Sequence, residues 1–213
     1  MKTDDLISLL ATGVEAVPPH QAERRYATAI ASGMAGAGVL MLLLLQVRAD
    51  LAEAARLPMF WVKFGFVGSL LFAGVFASLR FSRPGARVNS VPVFVLLPIL
   101  VMWILAAVAL FSVEADQRMA LVLGKTWNYC PFLIAMLSLP VFVAVIWAMK
   151  GLAPTQPRQA GFAAGLLSGA IAALVYCFHC PESEAPFIGL WYTLGILIPA
   201  IFGASLGNRL LRW

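Results

Sequence analysis

The sequence predicts an all-α membrane protein with six transmembrane helices. Of its 213 residues, 62% are hydrophobic and only 12% are charged, and the mean hydropathy is +0.89. A water-soluble domain carries about 25% charged residues. The composition therefore excludes a soluble enzyme or a secreted module, and it leaves little chain for a separate domain outside the membrane.

Six uninterrupted apolar runs of 19 to 22 residues match the roughly 20 residues that a helix needs to cross a lipid bilayer. They lie at 27–46, 59–79, 91–112, 131–149, 160–178 and 187–207. Backbone amides in lipid are satisfied only in helices or closed barrels, and the runs lack the alternation of barrel strands. Each run is therefore predicted to be a helix, and the loops between them divide the six into three helical hairpins.

The distribution of Lys and Arg predicts the orientation. Ten lie in the amino-terminal tail, the second and fourth loops and the carboxyl end, against four in the other loops. The positive-inside rule then places both termini in the cytoplasm, and topology accounts for the basic net charge without nucleic-acid binding. The predicted organisation is a cytoplasmic tail at 1–26, a transmembrane domain at 27–208 and a short cytoplasmic end at 209–213.

Few polar residues are placed for chemistry inside the membrane. Lys63 is the one charged residue within an apolar run, and because it lies about 7 Å from the outer end of its helix, its side chain is expected to snorkel to the interface. His20 and His179 lie outside the spans, so no histidine is placed to ligate a haem. The sequence contains no catalytic triad, paired-carboxylate or glycine-rich phosphate motif. We therefore expect neither an enzyme nor a resident cofactor.

Three cysteines, Cys130, Cys177 and Cys180, are predicted near the outer membrane surface. In a bacterial inner membrane that surface faces the oxidising periplasm, where a disulfide persists. Cys130 and Cys180, each followed by proline, form the natural pair, and Cys130 is expected to be the more reactive thiol because it begins a helix. Cys177 is expected to be a buried, inert residue. With His179 as an auxiliary ligand, a redox role and transient capture of a soft metal ion both stay open.

The amino-terminal tail has the pattern of a short amphipathic helix. Asp4 and Asp5 fall in its first turn, where carboxylates favour helix formation. Its apolar face is formed by Leu6, Ile7, Leu9, Leu10 and Val14. A helix this short is marginal alone, so the face is expected to lie on the bilayer, on the inner mouth of the bundle or in a partner's groove. The absence of lysines on this helix argues against a lipid anchor.

Several strings along the chain resemble one known family. They are Met-Lys-Thr-Asp-Asp-Leu-Ile at the start, Pro-Met-Phe-Trp-Val-Lys at 58–63, Gly-Lys-Thr-Trp-Asn-Tyr-Cys at 124–130, Trp-Ala-Met-Lys-Gly-Leu-Ala-Pro-Thr at 147–155 and His-Cys-Pro-Glu at 179–182. Together they resemble the NrsF family, whose name stands for negative regulator of sigma F. The resemblance implies a six-span anti-sigma factor of the bacterial inner membrane. Such a protein holds an extracytoplasmic-function sigma factor inactive and senses metal or oxidative stress through outer-face cysteines.

Carried onto this sequence, the resemblance assigns sensing to Cys130 and Cys180, whereas Cys177 has no match in the family pattern. Oxidation or metal capture would shift the fourth and fifth spans and release the sigma factor. The contact with sigma is expected on the tail and, secondarily, on an inner loop, at Asp4, Asp5, Leu6, Ile7, Leu9, Leu10, Arg83 and Arg87. Two alternatives stay open. A membrane thiol-disulfide oxidoreductase would ordinarily need two dithiol pairs, and a small permease is disfavoured by the scarcity of charge within the spans.

Overall fold

The computed structural model describes residues 3–12, 20–83, 85, 90–152 and 154–212. Every regular element in these ranges is helical. The elements are α1 (Thr3–Ala11), α2 (Gln21–Leu44), α3 (Leu51–Ala54), α4 (Pro58–Phe81), α5 (Val91–Phe111), α6 (Ala115–Leu123), α7 (Cys130–Lys150), α8 (Pro157–Tyr176), α9 (Ala185–Phe187), a π-helical turn (Ile188–Tyr192) and α10 (Thr193–Leu210). The last three form one continuous helix over Ala185–Leu210.

Six of these helices are long and apolar enough to cross a membrane, which confirms the predicted fold class. Their ends differ from the apolar runs by a few residues. The largest difference is in α2, which begins at Gln21, so the predicted boundary of the tail at residue 26 falls inside this helix. Polar residues continue a helix beyond the hydrocarbon layer, and hydropathy alone does not detect that extension.

Helix α8 is the centre of the bundle, and its closest neighbour is α10. The two helices approach through small residues: Gly161 lies against the backbone of Gly203, and Gly165 lies against the backbone of Pro199. A side chain at either α8 glycine would collide with main-chain atoms that have no freedom to move. Packing between helices within lipid depends on such close approach. The glycines of the fifth and sixth spans therefore serve packing within the chain.

Two further helices, α4 and α7, also pack on α8, and α2 packs mainly on α7. Gly74 of α4 meets the backbone of Leu167, and Gly33 of α2 meets the backbone of Val141. These contacts make α2, α4, α7, α8 and α10 a compact group.

Helix α5 is peripheral. Only Val91 and Met102 among its 21 residues are buried, and it packs on α4 and on α9 rather than on the central helix. Its remaining surface is apolar and exposed, which in a bilayer is a surface for lipid chains.

Candidate functional site

The three cysteines meet at one end of the bundle, which we call the cysteine end. Cys130 is the first residue of α7, Cys177 follows the last residue of α8, and Cys180 lies in the segment that leads to α9. A tight turn keeps this segment on α8, because the Cys180 amide donates to the carbonyl oxygen of Tyr176 at 3.0 Å. All three are free thiols, and all three are completely buried.

The side chains of Cys130 and Cys180 interact directly, with the Cys130 thiol as the hydrogen-bond donor. We call these two residues the thiol pair. Cys177 interacts with Tyr192 and with the ammonium of Lys63. The helix start and the turn after α8 thus bring together the two cysteines that the sequence pairs, although they are 50 positions apart.

Lys63 lies beside the thiol pair. Its side chain has no exposed surface, and its Nζ donates to the carbonyl oxygens of Cys180 at 3.0 Å and Glu182 at 2.9 Å. The same Nζ lies 5.1 Å from the centre of the Tyr192 ring, a distance at which a cation is attracted to an aromatic face. The expectation that Lys63 snorkels to the interface is wrong. Its side chain does point towards the membrane surface, but the segment 178–182 covers it.

The neighbours of Cys180 favour its ionised form. The hydrogen bond from Cys130 lowers the pKa of the Cys180 thiol, and the Lys63 ammonium acts in the same direction, while burial opposes both. The prediction from helix position, that Cys130 is the more reactive thiol, is not tested by these contacts and stays a prediction. Cys130 does begin a helix, but it is the donor of the pair, and the thiol with the lowered pKa is Cys180. Thiolates are the nucleophilic form of cysteine, so these neighbours favour Cys180 as the attacking sulfur.

Two tyrosines complete the surroundings of the thiol pair. The rings of Tyr176 and Tyr192 are 5.9 Å apart. Both hydroxyls are buried and lie at the sulfurs, that of Tyr176 at Cys130 and that of Tyr192 at Cys177 and Cys180. Tyr192 ends the π-helical turn, a local widening that is frequent at functional sites. Sequence reasoning missed both tyrosines, since nothing in their spacing distinguishes them from ordinary packing residues.

Polar contacts fix the segment 178–182 to the neighbouring linkers. Arg48, between α2 and α3, donates from its backbone amide to the Phe178 carbonyl at 3.1 Å and from its guanidinium to the carbonyls of Cys180 and Pro181. The Glu182 carboxylate accepts a hydrogen bond from the Lys125 amide at 2.8 Å. The thiol pair is thus enclosed by three different parts of the chain.

The auxiliary role of His179 at the sulfurs stays a prediction. The Nδ1 of His179 lies 2.9 Å from the carbonyl oxygen of Gln46, so its ring contacts the linker after α2. Among the residues that the structure describes, no group of three or more His, Cys, Asp or Glu side chains is arranged to hold a metal ion. The site is therefore described as a pair of thiols, and the soft-metal signal stays a prediction.

The opposite end of the bundle, which we call the tail end, carries the other predicted site residues. The side chains of Asp4, Asp5, Leu6, Ile7 and Leu9 on α1 are all exposed, and so is Arg83 after α4. The Leu10 side chain and the whole of Arg87 lie outside the described residues. At this end the Tyr26 hydroxyl of α2 pairs with the Ser82 hydroxyl at 2.6 Å.

A six-span helical membrane protein with a buried thiol pair and an exposed terminal helix has the features of a membrane-bound regulator. The family model described as negative regulator of sigma F matches residues 10–213. The chain is 61% identical to a probable anti-sigma-F factor NrsF of Azospira oryzae over the full length of both proteins. It is 40% identical, again over the full length of both, to the anti-sigma-F factor NrsF of Caulobacter vibrioides. No solved structure matches the chain significantly.

The chain therefore belongs to the NrsF family. This is a family of anti-sigma factors, and its members are regulatory rather than catalytic proteins. Membership places the chain with regulators and not with the thiol oxidoreductases or permeases that the sequence left as alternatives.

Proposed function

We propose that this protein is an inner-membrane anti-sigma factor that binds an extracytoplasmic-function sigma factor at its tail end and releases it when the thiol pair is oxidised. The observation that carries the proposal is the direct contact of two free thiols, Cys130 and Cys180, in a buried site. The bundle connects this site to the end that carries the exposed helix α1.

The chemistry of the pair supports an oxidation switch. Cys180 attacks a two-electron oxidant as a thiolate, and Cys130 then supplies the second sulfur of the disulfide. With a diazene oxidant such as diamide, the two sulfurs give up two electrons. The nitrogen–nitrogen double bond becomes a hydrazine by taking the Cys130 proton and one proton from water. The reaction is reversed by a dithiol reductant, so the state of the pair follows the redox balance around it.

The exposed apolar face of α1 supports the tail as the binding element. Leu6, Ile7 and Leu9 are exposed, and an amphipathic helix that has no groove of its own to fill commonly fills a partner's. Asp4 and Asp5 add negative charge at one end of this face, and Arg83, after α4, adds an exposed positive charge at the tail end. These residues are the proposed contacts, and Leu10 and Arg87 complete the set from the sequence.

The distribution of basic residues supports the proposed orientation. The tail end carries Arg24, Arg25, Arg83 and Arg209, among others, whereas the cysteine end carries few. The positive-inside rule then places the tail end in the cytoplasm, where a sigma factor is found, and the cysteine end towards the periplasm.

The proposal is tested by capturing the host's sigma factors on the detergent-solubilised protein under reducing conditions and then adding diamide. We expect the wild type to capture one extracytoplasmic-function sigma factor and to release it on oxidation. A version lacking residues 1–17 should capture none. Cys130→Ser and Cys180→Ser should capture it and fail to release it.

Cys177→Ser is the matched control, because Cys177 is equally buried at the same end but is not one of the two interacting sulfurs. This variant should capture and release sigma as the wild type does. Capture that is unaffected by the truncation, or release that persists without either sulfur of the pair, would contradict the proposal.

A further inference from the structure

The cysteine end holds a buried positive charge whose counter-charge is not a carboxylate. Burying an ammonium group is costly unless an anion compensates it. The ion pairs among the described residues are His20–Glu23 and Arg48–Asp50, and neither includes Lys63. The carbonyl oxygens of Cys180 and Glu182 and the Tyr192 ring provide partial charges only.

Apart from tyrosine hydroxyls, whose ordinary pKa is higher than that of a thiol, the groups around Lys63 that can carry a full negative charge are the cysteine sulfurs. The ammonium interacts electrostatically with all three thiols. Of these, Cys180 is also the acceptor of the Cys130 hydrogen bond, and its own carbonyl oxygen is bound to Nζ at 3.0 Å. The position that best compensates Lys63 is therefore the Cys180 sulfur.

We propose that Lys63 is the positioning residue of the switch: it pairs with a Cys180 thiolate and fixes the segment 180–182 to helix α4. The proposal rests on the oxidation switch proposed above and adds the residue that couples oxidation of the thiol pair to the packing of the helices. Before oxidation, the ammonium and the thiolate cancel. After oxidation, both sulfurs are neutral, and the ammonium is left buried without a counter-charge.

Helix α4 is the element through which this change reaches the tail end. Lys63 lies near the start of α4, and Ser82, which follows the last residue of α4, bonds to Tyr26 of α2. An uncompensated Lys63 favours a packing of α4 in which Nζ meets water. A helix that is bound at both ends transmits that shift to α2, the helix that follows the tail in the chain.

The test uses the full-length protein in the Cys177→Ser background, so that the thiol pair is the whole thiol content. Lys63→Met removes the charge and keeps the length, Lys63→Arg keeps the charge, and Arg56→Met removes an exposed cation at the same end. The thiolate at neutral pH is measured by its ultraviolet absorbance, as the difference between the reduced protein at neutral pH and the same reduced protein after acidification. We expect a thiolate signal in the parent, in Lys63→Arg and in Arg56→Met. In Lys63→Met we expect a loss of about tenfold, which at neutral pH corresponds to a rise in the pKa of the Cys180 thiol from about 5 to about 8.

Sigma release is then compared at equal disulfide content in the same four proteins. We expect Lys63→Met to capture sigma and to release several-fold less of it than the parent does. Lys63→Arg and Arg56→Met should behave as the parent. A full thiolate signal in Lys63→Met, or normal release from it at equal disulfide content, would overturn the proposal.

A double-mutant cycle keeps the proposal testable if Lys63→Met folds poorly. In a Cys180→Ala background the ammonium has already lost its counter-charge, so adding Lys63→Met should raise the thermal midpoint, whereas it should lower the midpoint of the parent. Equal changes in both backgrounds would overturn the pairing. If the parent itself does not release sigma on oxidation, the proposed switch fails, while the thiolate signal and the cycle still decide the role of Lys63.

Discussion

The two ends of this bundle are built in opposite ways. At the cysteine end, the thiols and Lys63 are fully buried, and hydrogen bonds from Arg48, Lys63 and Lys125 hold the covering segment 178–182. At the tail end, helix α1 and Arg83 are exposed. A reactive thiolate needs a closed, charge-compensated site, whereas a protein-binding helix needs an open apolar face. The difference supports the proposal that the cysteine end detects the signal and the tail end binds sigma.

The two ends can influence each other only if the helices between them are tightly packed. The close contact between α8 and α10 is the part of this packing that a single substitution should disrupt most. We expect Gly165→Leu to separate the two helices, because its side chain would collide with the backbone of Pro199 and Ala200. Overpacking of a close contact costs about 1–3 kcal/mol or more. Size-exclusion chromatography and thermal unfolding in detergent should show loss of the monodisperse protein.

Gly38→Leu is the control for this prediction, since a side chain at Gly38 of α2 meets only open space. It should leave the elution profile and the unfolding midpoint near those of the wild type. A stable, monodisperse Gly165→Leu protein would contradict the packing described for the central helices.

The second prediction concerns the open face of the tail end. Leu6→Asp places a charge on the apolar face of α1 and should weaken sigma capture by about 2 kcal/mol, or roughly 30-fold, as expected for an apolar anchor at an interface. Ser8→Asp adds the same charge on the other side of the helix and should have little effect. Equilibrium binding of purified sigma factor measures both, and equal losses in the two variants would show that charge, and not the apolar face, is what sigma recognises.

A smaller effect is expected from the hydrogen bond that joins α2 to the end of α4 at the tail end. Tyr26→Phe removes the hydroxyl that pairs with Ser82 and also reaches the Ser78 carbonyl at 3.2 Å. The Ser82 hydroxyl keeps its own bond to the Ser78 carbonyl at 2.7 Å, so the loss should be about 1 kcal/mol. Thermal unfolding measures it, with Thr28→Val as the control for an exposed hydroxyl that bonds only within its own helix. A Tyr26→Phe midpoint equal to that of the wild type would contradict the role given to this bond.

The smallest effect is expected from the ion pair between the largely buried Arg48 and the exposed Asp50 at the cysteine end. The bond from Arg48 lowers the pKa of the Asp50 carboxyl. A carboxyl with a lowered folded-state pKa stabilises the fold above its unfolded pKa, and that contribution is lost as pH falls through the lowered value. Surface ion pairs contribute little, so the wild type should lose only slightly more stability than Asp50→Asn between neutral and acidic pH. An identical pH dependence of the unfolding midpoints of the wild type and Asp50→Asn would show that the Arg48–Asp50 pair does not stabilise the fold.

Hydropathy predicted the fold well, because the requirement to satisfy backbone groups in lipid is strict and acts on every span. The same requirement does not distinguish a helix that faces lipid from one that faces protein. The peripheral place of α5 and the central place of α8 were therefore not predictable from composition. The short helices α3 and α6 at the cysteine end went unpredicted, because neither has the length or the hydropathy of a span.

The candidate site was predicted in part. Two cysteines followed by proline, near ends of helices on the same side, identified the thiol pair. Lys63 was wrongly predicted to reach the interface, because its distance from the end of the helix does not reveal that the segment 178–182 folds over its side chain. The surroundings of Cys180 were not predictable for the same reason: the helix start at Cys130 is visible in the sequence, whereas the neighbours of Cys180 come from three distant segments.

The central claim is that oxidation of the thiol pair at the cysteine end releases sigma from the tail end. The most direct measurement follows the purified complex with its sigma factor in lipid nanodiscs during titration with diamide. Disulfides are mapped by mass spectrometry and free sigma is measured in the same samples. The account predicts that the Cys130–Cys180 disulfide forms and that the fraction of sigma released rises in proportion to it. Sigma that stays bound when this disulfide is complete, or release that follows a disulfide of Cys177, would contradict it.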